Sequence, residues 1–373
     1  MPPERVLVTG ATGLMGSRLC EVLWLTGAMQ PRALVHNTGS AARISRYPID
    51  VAVGDLCDEN YVKQAMQGCD AVVHLARGTE AVMTKGLDNV LQAAAANRVS
   101  RFVHMSSVAV YGNQPPAESV SEEAPARRTT LQYGNQKLEQ ERRVLEYRRR
   151  YDLPTVILRA PNVYGPYSAF TTGMLKRLRA GNIAILGEGK NPCNLVYIDN
   201  VIEAVLLCLW KPEAVGQTFF VVDNEPVTWA QCIEDYAKIV GVGVRRVQEH
   251  EIDRDHRKSG IGDSFRTIQK IVISKEFRQI LRQVQLIESF ETSMYNRYQS
   301  LSPRTREWIR RRVRDLRTRP QRSESYDHLV AMQARTVAHS NRKARSLLGY
   351  TAGVSYDEGM ALTEDWLRYN RLA

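Results

Sequence analysis

The chain has 373 residues, 43% of them hydrophobic and 24% charged, the composition of an ordinary globular protein with room for two domains or one large domain and a cap. No apolar run is long enough to span a bilayer and the N-terminus enters a strand directly, so neither a membrane span nor a leader peptide is expected. The net charge of +11 is local: residues 245–322 hold 20 Lys and Arg against 10 Asp and Glu, while the rest of the chain is nearly neutral. Six scattered cysteines with no CxxC pair read as reduced thiols of a cytoplasmic protein without a zinc site.

The first element is the apolar run Val6-Leu7-Val8, as expected of a strand buried on both faces. Gly10, Gly13 and Gly16 follow at three-residue spacing, and then Leu19, Val22, Leu23 and Leu25 fall on one helical face. Strand, glycine turn and helix in this order let the backbone approach a pyrophosphate, which meets the free N–H groups at the helix start. A Cβ at Gly10 or Gly13 is expected to push such a ligand away. Thr12, Leu14 and Met15 belong to the same cofactor-binding turn. The spacing is GxxGxxG, and TGATGLMG resembles the extended short-chain dehydrogenase/reductases, the NAD(P)-dependent epimerase/dehydratase family. That resemblance implies a Rossmann-type α/β fold, a doubly wound parallel sheet with a smaller C-terminal substrate domain.

Arg32 to His36 reads as the second strand, whose end lies near the adenosine ribose in this fold. An acid there would hold the ribose hydroxyls and repel a 2′-phosphate. Here His36 and Asn37 stand instead, with Arg43 and Arg46 following and no carboxylate before Asp50, which favours NADP(H) while leaving NAD(H) open. Val51 to Leu56 is a third strand, and the resemblance assigns Asp55 and Leu56 to the adenine. The segment Gly68 to Ala76 resembles the family's fourth strand, with Leu75 and Ala76 beneath the cofactor. A helix from Lys85 to Ala96 follows. Met83 takes the place of an Asn that organises the active-site backbone and water in the family.

Arg101 to Ser107 is a fifth strand that runs into Val108-Ala109-Val110-Tyr111-Gly112. A helix from near Leu131 to about Tyr151 carries Tyr133 and Lys137. Pro154 to Leu158 is a sixth strand, and Arg159 to Pro166 resembles the family's L-R-P-x-N-V-Y-G-P motif. Phe170 to Ala180 is read as a helix on the substrate side, Leu195 to Val201 as a returning segment before an apolar helix to Trp210, and Thr218 to Val222 as a further strand. The resemblance covers about Arg5 to Gly241 and resumes near Ser340. The resulting division is a dinucleotide domain of residues 1–165 with about 193–223, and a substrate domain of 166–192 and 224–373. Within the latter, about 245–330 is a basic helical insertion, with apolar positions from Ile273 to Met294 at helical spacing and a second basic helix over 304–319. The insertion is read first as a helical cap. It also offers a contact for an anionic membrane surface, a partner protein or a second subunit, but few aromatics accompany its arginines and no nucleic acid is expected.

Tyr133 and Lys137 are four apart and share a helical face. A phenol of pKa about 10 is a poor base at neutral pH, and a nearby ammonium lowers that value. By resemblance Lys137 also holds the nicotinamide ribose, and Ser107 stands where the family's catalytic serine orients the reacting oxygen. Tyr and Lys at this spacing carry little weight alone; the order of glycine turn, Asp55-Leu56, Ser107 and then Tyr133-Lys137 carries the assignment. The dehydratases of the family have an Asp-Glu pair where Val108-Ala109 stands, so elimination is not expected. Ser107, Val108, Asn162 and Cys193 are the substrate-side candidates. Asn162 matches an asparagine that contacts nucleotide sugars, whereas Cys193 replaces an arginine that clamps their diphosphate. The first reading is an epimerase acting through hydride transfer on a nucleotide sugar. The alternative is an NADPH-dependent ketoreductase or dehydrogenase on another carbonyl compound, and a third is a non-catalytic cofactor-binding protein. A homodimer through the helices around Lys85 and Lys137 is implied by the resemblance alone.

Overall fold

The structure is a computed structural model that describes residues 3–248 and 329–373. The expected helices over 273–294 and 304–319, and hence the role of the insertion, lie outside the described residues. The chain divides into two compact units, Met1–Val244 with Ala331–Ala373, and Arg245–Val330.

In the first unit strands and helices alternate: β1 (Arg5–Thr9), α1 (Leu14–Thr26), β2 (Gln30–Val35), β3 (Asp50–Val53), α2 (Glu59–Met66), β4 (Ala71–His74), α3 (Leu87–Ala96), β5 (Arg101–Ser107), α4 (Gln132–Tyr151) and β6 (Thr155–Ala160). They continue as β7 (Asn162–Tyr164), α5 (Ala169–Arg179), β8 (Ile185–Leu186), β9 (Leu195–Tyr197), α6 (Ile198–Trp210), β10 (Thr218–Phe220) and α7 (Trp229–Val240), and close with α8 (Arg342–Leu348) and α9 (Tyr356–Tyr369). Seven strands form one parallel sheet in the order β10-β6-β5-β4-β1-β2-β3. Val6, Leu7, Val8, Val72, Val73 and Phe102 are fully buried because helices cover both faces. On one side α2, α3 and α4 supply Val62, Met66, Val90, Leu91 and Val144 to a common core with Leu7, Val72 and Ile157. On the other, Arg18 of α1 holds Asp199 of α6 through two hydrogen bonds, 2.6 Å from Nε and 3.0 Å from Nη2.

The differences from expectation fall at element ends. Ile198 to Val201 is the start of α6 and not strand, since the apolar run there suits either and Asp199 favours a first helical turn. Val108 to Tyr111 is a single 3₁₀ turn whose N-cap is Ser107. The helix expected from Lys85 begins at Leu87, preceded by a π turn over Val82–Gly86. β7 and β9 pair in parallel as a separate two-stranded sheet, which carries Asn162 opposite Leu195. The strand order reverses between β1 and β4, and the carboxyl ends of β1, β4 and β5 open onto the crevice where ligands bind in such sheets.

Candidate active site

Each glycine of the first turn has its own task. Gly10 has φ +67°, and a Cβ on it would lie 2.8 Å from Ala76 N and Leu75 C at the end of β4. A Cβ on Gly16 would lie 2.2 Å from the Gly10 carbonyl oxygen, so this residue lets α1 start tight against β1. Gly13 is exposed, and a Cβ there would meet only Gly10 O, at 3.2 Å. Gly13 therefore leaves room for a ligand, whereas Gly10 and Gly16 hold the turn itself together, a division that spacing alone does not reveal. Gly13 N donates to Gly10 O at 2.9 Å, and no side chain caps the start of α1, whose first turn has no acid. This open, positive helix end fits the pyrophosphate of a dinucleotide. Thr12, Leu14 and Met15 are half-buried around it.

His36 is exposed just past β2. The Arg43 guanidinium lies over the Tyr167 ring, 4.4 Å from its centre, and Tyr167 packs on Trp366 of α9. Arg46 pairs with Glu21 at 2.8 Å. Asp55 is exposed and caps its own loop through Cys57 N at 2.9 Å. Leu56 is buried in the core, with its carbonyl held by Asn89 Nδ2 at 2.9 Å. Leu75 and Ala76 hang from Thr9, whose carbonyl accepts Leu75 N at 3.2 Å and whose hydroxyl accepts Ala76 N at 3.4 Å.

At the end of β5 the catalytic candidates come together. The Ser107 hydroxyl lies beside the Tyr133 phenol and accepts Ala109 N at 3.2 Å. Burial raises the Tyr133 pKa, and the positive charge of Arg77 and the Ser107 hydroxyl pull it back down. Arg77 lies over the phenol ring, its guanidinium carbon 4.7 Å from the ring centre. Lys137 is buried, and its ammonium donates to Met105 O at 2.8 Å and to Gln140 Oε1 at 3.0 Å. Burial, with Arg77 adding repulsion, pushes its pKa down to about 8, while Glu141 opposes the shift. Gln140 Nε2 in turn donates to Met83 O at 2.8 Å. The backbone at the position where the family has Asn is thus tied to Lys137 through a side-chain amide.

Two substrate-side candidates do not join this group. Val108 is packed in an apolar cluster with Val110, Tyr111, Ala124 and Phe220. Cys193 is 1% exposed, with its backbone N–H bonded to Val227 O at 2.7 Å and its thiol beside Cys232. Asn162 is half-buried, and its Nδ2 donates to Asn194 O at 3.4 Å. Sequence reasoning missed Arg77 and Gln140. Gln140 sits one turn beyond Lys137 on the same face, which spacing could have shown; Arg77 follows Ala76 directly, yet nothing in its neighbourhood marks it as aimed at Tyr133. Among the described residues no cluster of three His, Cys, Asp or Glu could hold a metal ion, and no helix is long and apolar enough to cross a membrane.

A glycine turn at a sheet switch point, with a phenol, a hydroxyl and an ammonium at the neighbouring strand end, fits the dinucleotide-binding class of α/β proteins. The family model for the NAD dependent epimerase/dehydratase family matches residues 6–222, and the chain belongs to that family. It is 29% identical over 252 residues to the 2-alkyl-3-oxoalkanoate reductase of Shewanella oneidensis, a match covering 62% of this chain and 64% of that enzyme's length. It is 28% identical over 281 residues to the dTDP-glucose 4,6-dehydratase of Streptomyces niveus, covering 67% of this chain and 81% of that one. The crystal structure of UDP-glucose 4-epimerase with UDP-glucose from Thermotoga maritima superposes with a TM-score of 0.67 at 18% identity, covering 98% of this chain and 99% of that one, a likeness of fold.

Proposed function

We propose that the protein is an NADPH-dependent ketoreductase acting on a carbonyl compound other than a nucleotide sugar. The observation that carries this reading is Cys193. At the position where the resemblance implies an arginine for a sugar-nucleotide diphosphate, the side chain is small, neutral and sealed in the core. A missing charge-assisted contact costs about 1.5–3 kcal/mol of binding. The 2-alkyl-3-oxoalkanoate reductase among the relatives supports a reductive role.

When bound, the nicotinamide supplies a hydride to the carbonyl carbon. Tyr133 gives its phenolic proton to the carbonyl oxygen as that oxygen takes up the electron pair of the broken π bond. Ser107 orients the same oxygen by hydrogen bonding. Lys137 holds the ribose side of the cofactor, and its charge, with that of Arg77, stabilises the phenolate left behind. The preference for NADP(H) rests on His36 and Arg43 and on the lack of any carboxylate between Val35 and Asp50.

The test is stoichiometry. Loss of one reduced nicotinamide per ketone consumed, with tighter binding of NADPH than NADH, is the expected result. Conversion of UDP-glucose to its epimer without net change in nicotinamide absorbance would overturn the reading in favour of the epimerase.

A further inference from the structure

Arg77 stands three residues past the end of β4, exposed, with its guanidinium over the ring of Tyr133. Among the described residues no carboxylate forms an ion pair with it. The acids around α4 are committed elsewhere: Glu141 to Arg159 at 2.7 Å and Asp88 to Arg143. Lys137 adds a second positive charge, already bonded to Met105 and Gln140. The phenol therefore lies under an exposed cation whose donors are free for a ligand, while Lys137, with two of its three N–H groups already used, keeps one for the cofactor. A guanidinium in that state matches a carboxylate, which it can hold through two parallel hydrogen bonds.

We infer that Arg77 is a specificity-determining residue that binds a carboxylate of the substrate, and that the substrate is an oxo acid whose charge lies a short tether from the reacting carbonyl. This rests on the ketoreductase reading above and narrows it. The phenol oxygen is at the rim of the ring that Arg77 covers. A carbonyl oxygen that accepts from Tyr133 is within a few atoms' length of the guanidinium, whose carbon lies 4.7 Å from the centre of the same ring. In a 3-oxo acid a single carbon separates the carbonyl from the carboxylate, so both ends of the molecule are met at once. UDP-glucose carries its charge many bonds from the carbon that reacts and has no carboxylate for a cation in this place.

The test compares 3-hydroxyhexanoate with its methyl ester in the oxidative direction, with NADP⁺, in the wild type and in Arg77→Met and Arg77→Lys. The wild type prefers the acid, and in Arg77→Met the ratio of kcat/KM for acid over ester falls about 10- to 100-fold. Arg77→Lys recovers part of that ratio. The ratio cancels any effect of Arg77 on the phenol, which both compounds share. In thermal shift with NADP⁺ present, the acid stabilises the wild type and fails to stabilise Arg77→Met. An unchanged ratio, or a variant whose only defect is weaker NADP⁺ binding, overturns the inference while leaving the ketoreductase standing. Turnover of UDP-glucose but of neither hydroxy compound overturns both.

Discussion

Gln140 ties the buried ammonium of the site to the backbone of a neighbouring turn. Its amide oxygen is one of two acceptors for the Lys137 ammonium, and its amide nitrogen ties Met83 O, so one side chain spans α4 and the π turn before α3. Because burial pushes the Lys137 pKa down to about 8, most of its charge is present at neutral pH and is lost as the pH rises through about 8. Activity is expected to fall along that limb. Gln140→Glu places an anion against the ammonium and moves the break to higher pH by about one unit. A pH–rate profile checks this, and a break that stays in place in the variant counts against the role of Lys137. The candidate trio of Ser107, Tyr133 and Lys137 could be picked from the sequence, because local elements carry it in a recognisable order. Arg77 and Gln140 were not, since their importance lies in which neighbours the fold gives them.

At the scale of elements, one buried network fixes the end of β5 against α4 and β6. Glu141 accepts from Arg159 Nε at 2.9 Å and Nη2 at 2.7 Å, and from Ser106 Oγ at 2.5 Å. Arg159 also donates to Tyr111 Oη at 2.6 Å, and Tyr111 donates on to Ala124 O at 3.2 Å. Ser107 is the next residue along β5, so this network holds its hydroxyl in register with the helix bearing Tyr133. Glu141→Leu leaves the Arg159 cation buried without its anion, with an expected loss of about 3–5 kcal/mol in urea unfolding. The double variant Glu141→Leu/Arg159→Met recovers much of that loss, because an apolar pair of similar volume needs no counter-ion. A single variant as stable as the wild type would contradict the assignment. The strands of the large sheet were readable because each is an apolar run set between turn residues. The ends of elements were not: Leu195 to Trp210 is apolar but for Asp199, Asn200 and Glu203, and the run by itself does not mark that strand yields to helix after Tyr197.

For the molecule as a whole, the distribution of buried titratable groups sets the response to acid. His74, His104 and His339 are buried and neutral. His74 is pushed down to about 3, His339 to about 4, and His104 well below its ordinary value, in each case chiefly by burial. Once unfolded they titrate near 6.5, so the unfolded chain binds more protons below that pH and stability falls as the pH drops from about 6.5 towards 4, by up to about 1.4 kcal/mol per pH unit for each histidine. Neither ring nitrogen of His104 has a partner among the described residues. His104→Leu removes one of these protons and leaves no polar atom unmatched, so its unfolding free energy is expected to decline less between pH 7 and 5 than that of the wild type. Parallel declines would contradict this.

The central claim is that Tyr133 protonates a carbonyl as it is reduced. The most direct test is a single turnover of the NADPH-loaded protein with a 3-oxo ester, followed by the absorbance of the reduced nicotinamide in the wild type and in Tyr133→Phe. One alcohol per nicotinamide oxidised is expected in the wild type, and a rate at least about 100-fold lower in the variant with NADPH binding retained. A Tyr133→Phe protein that reduces the ester at the wild-type rate would contradict it.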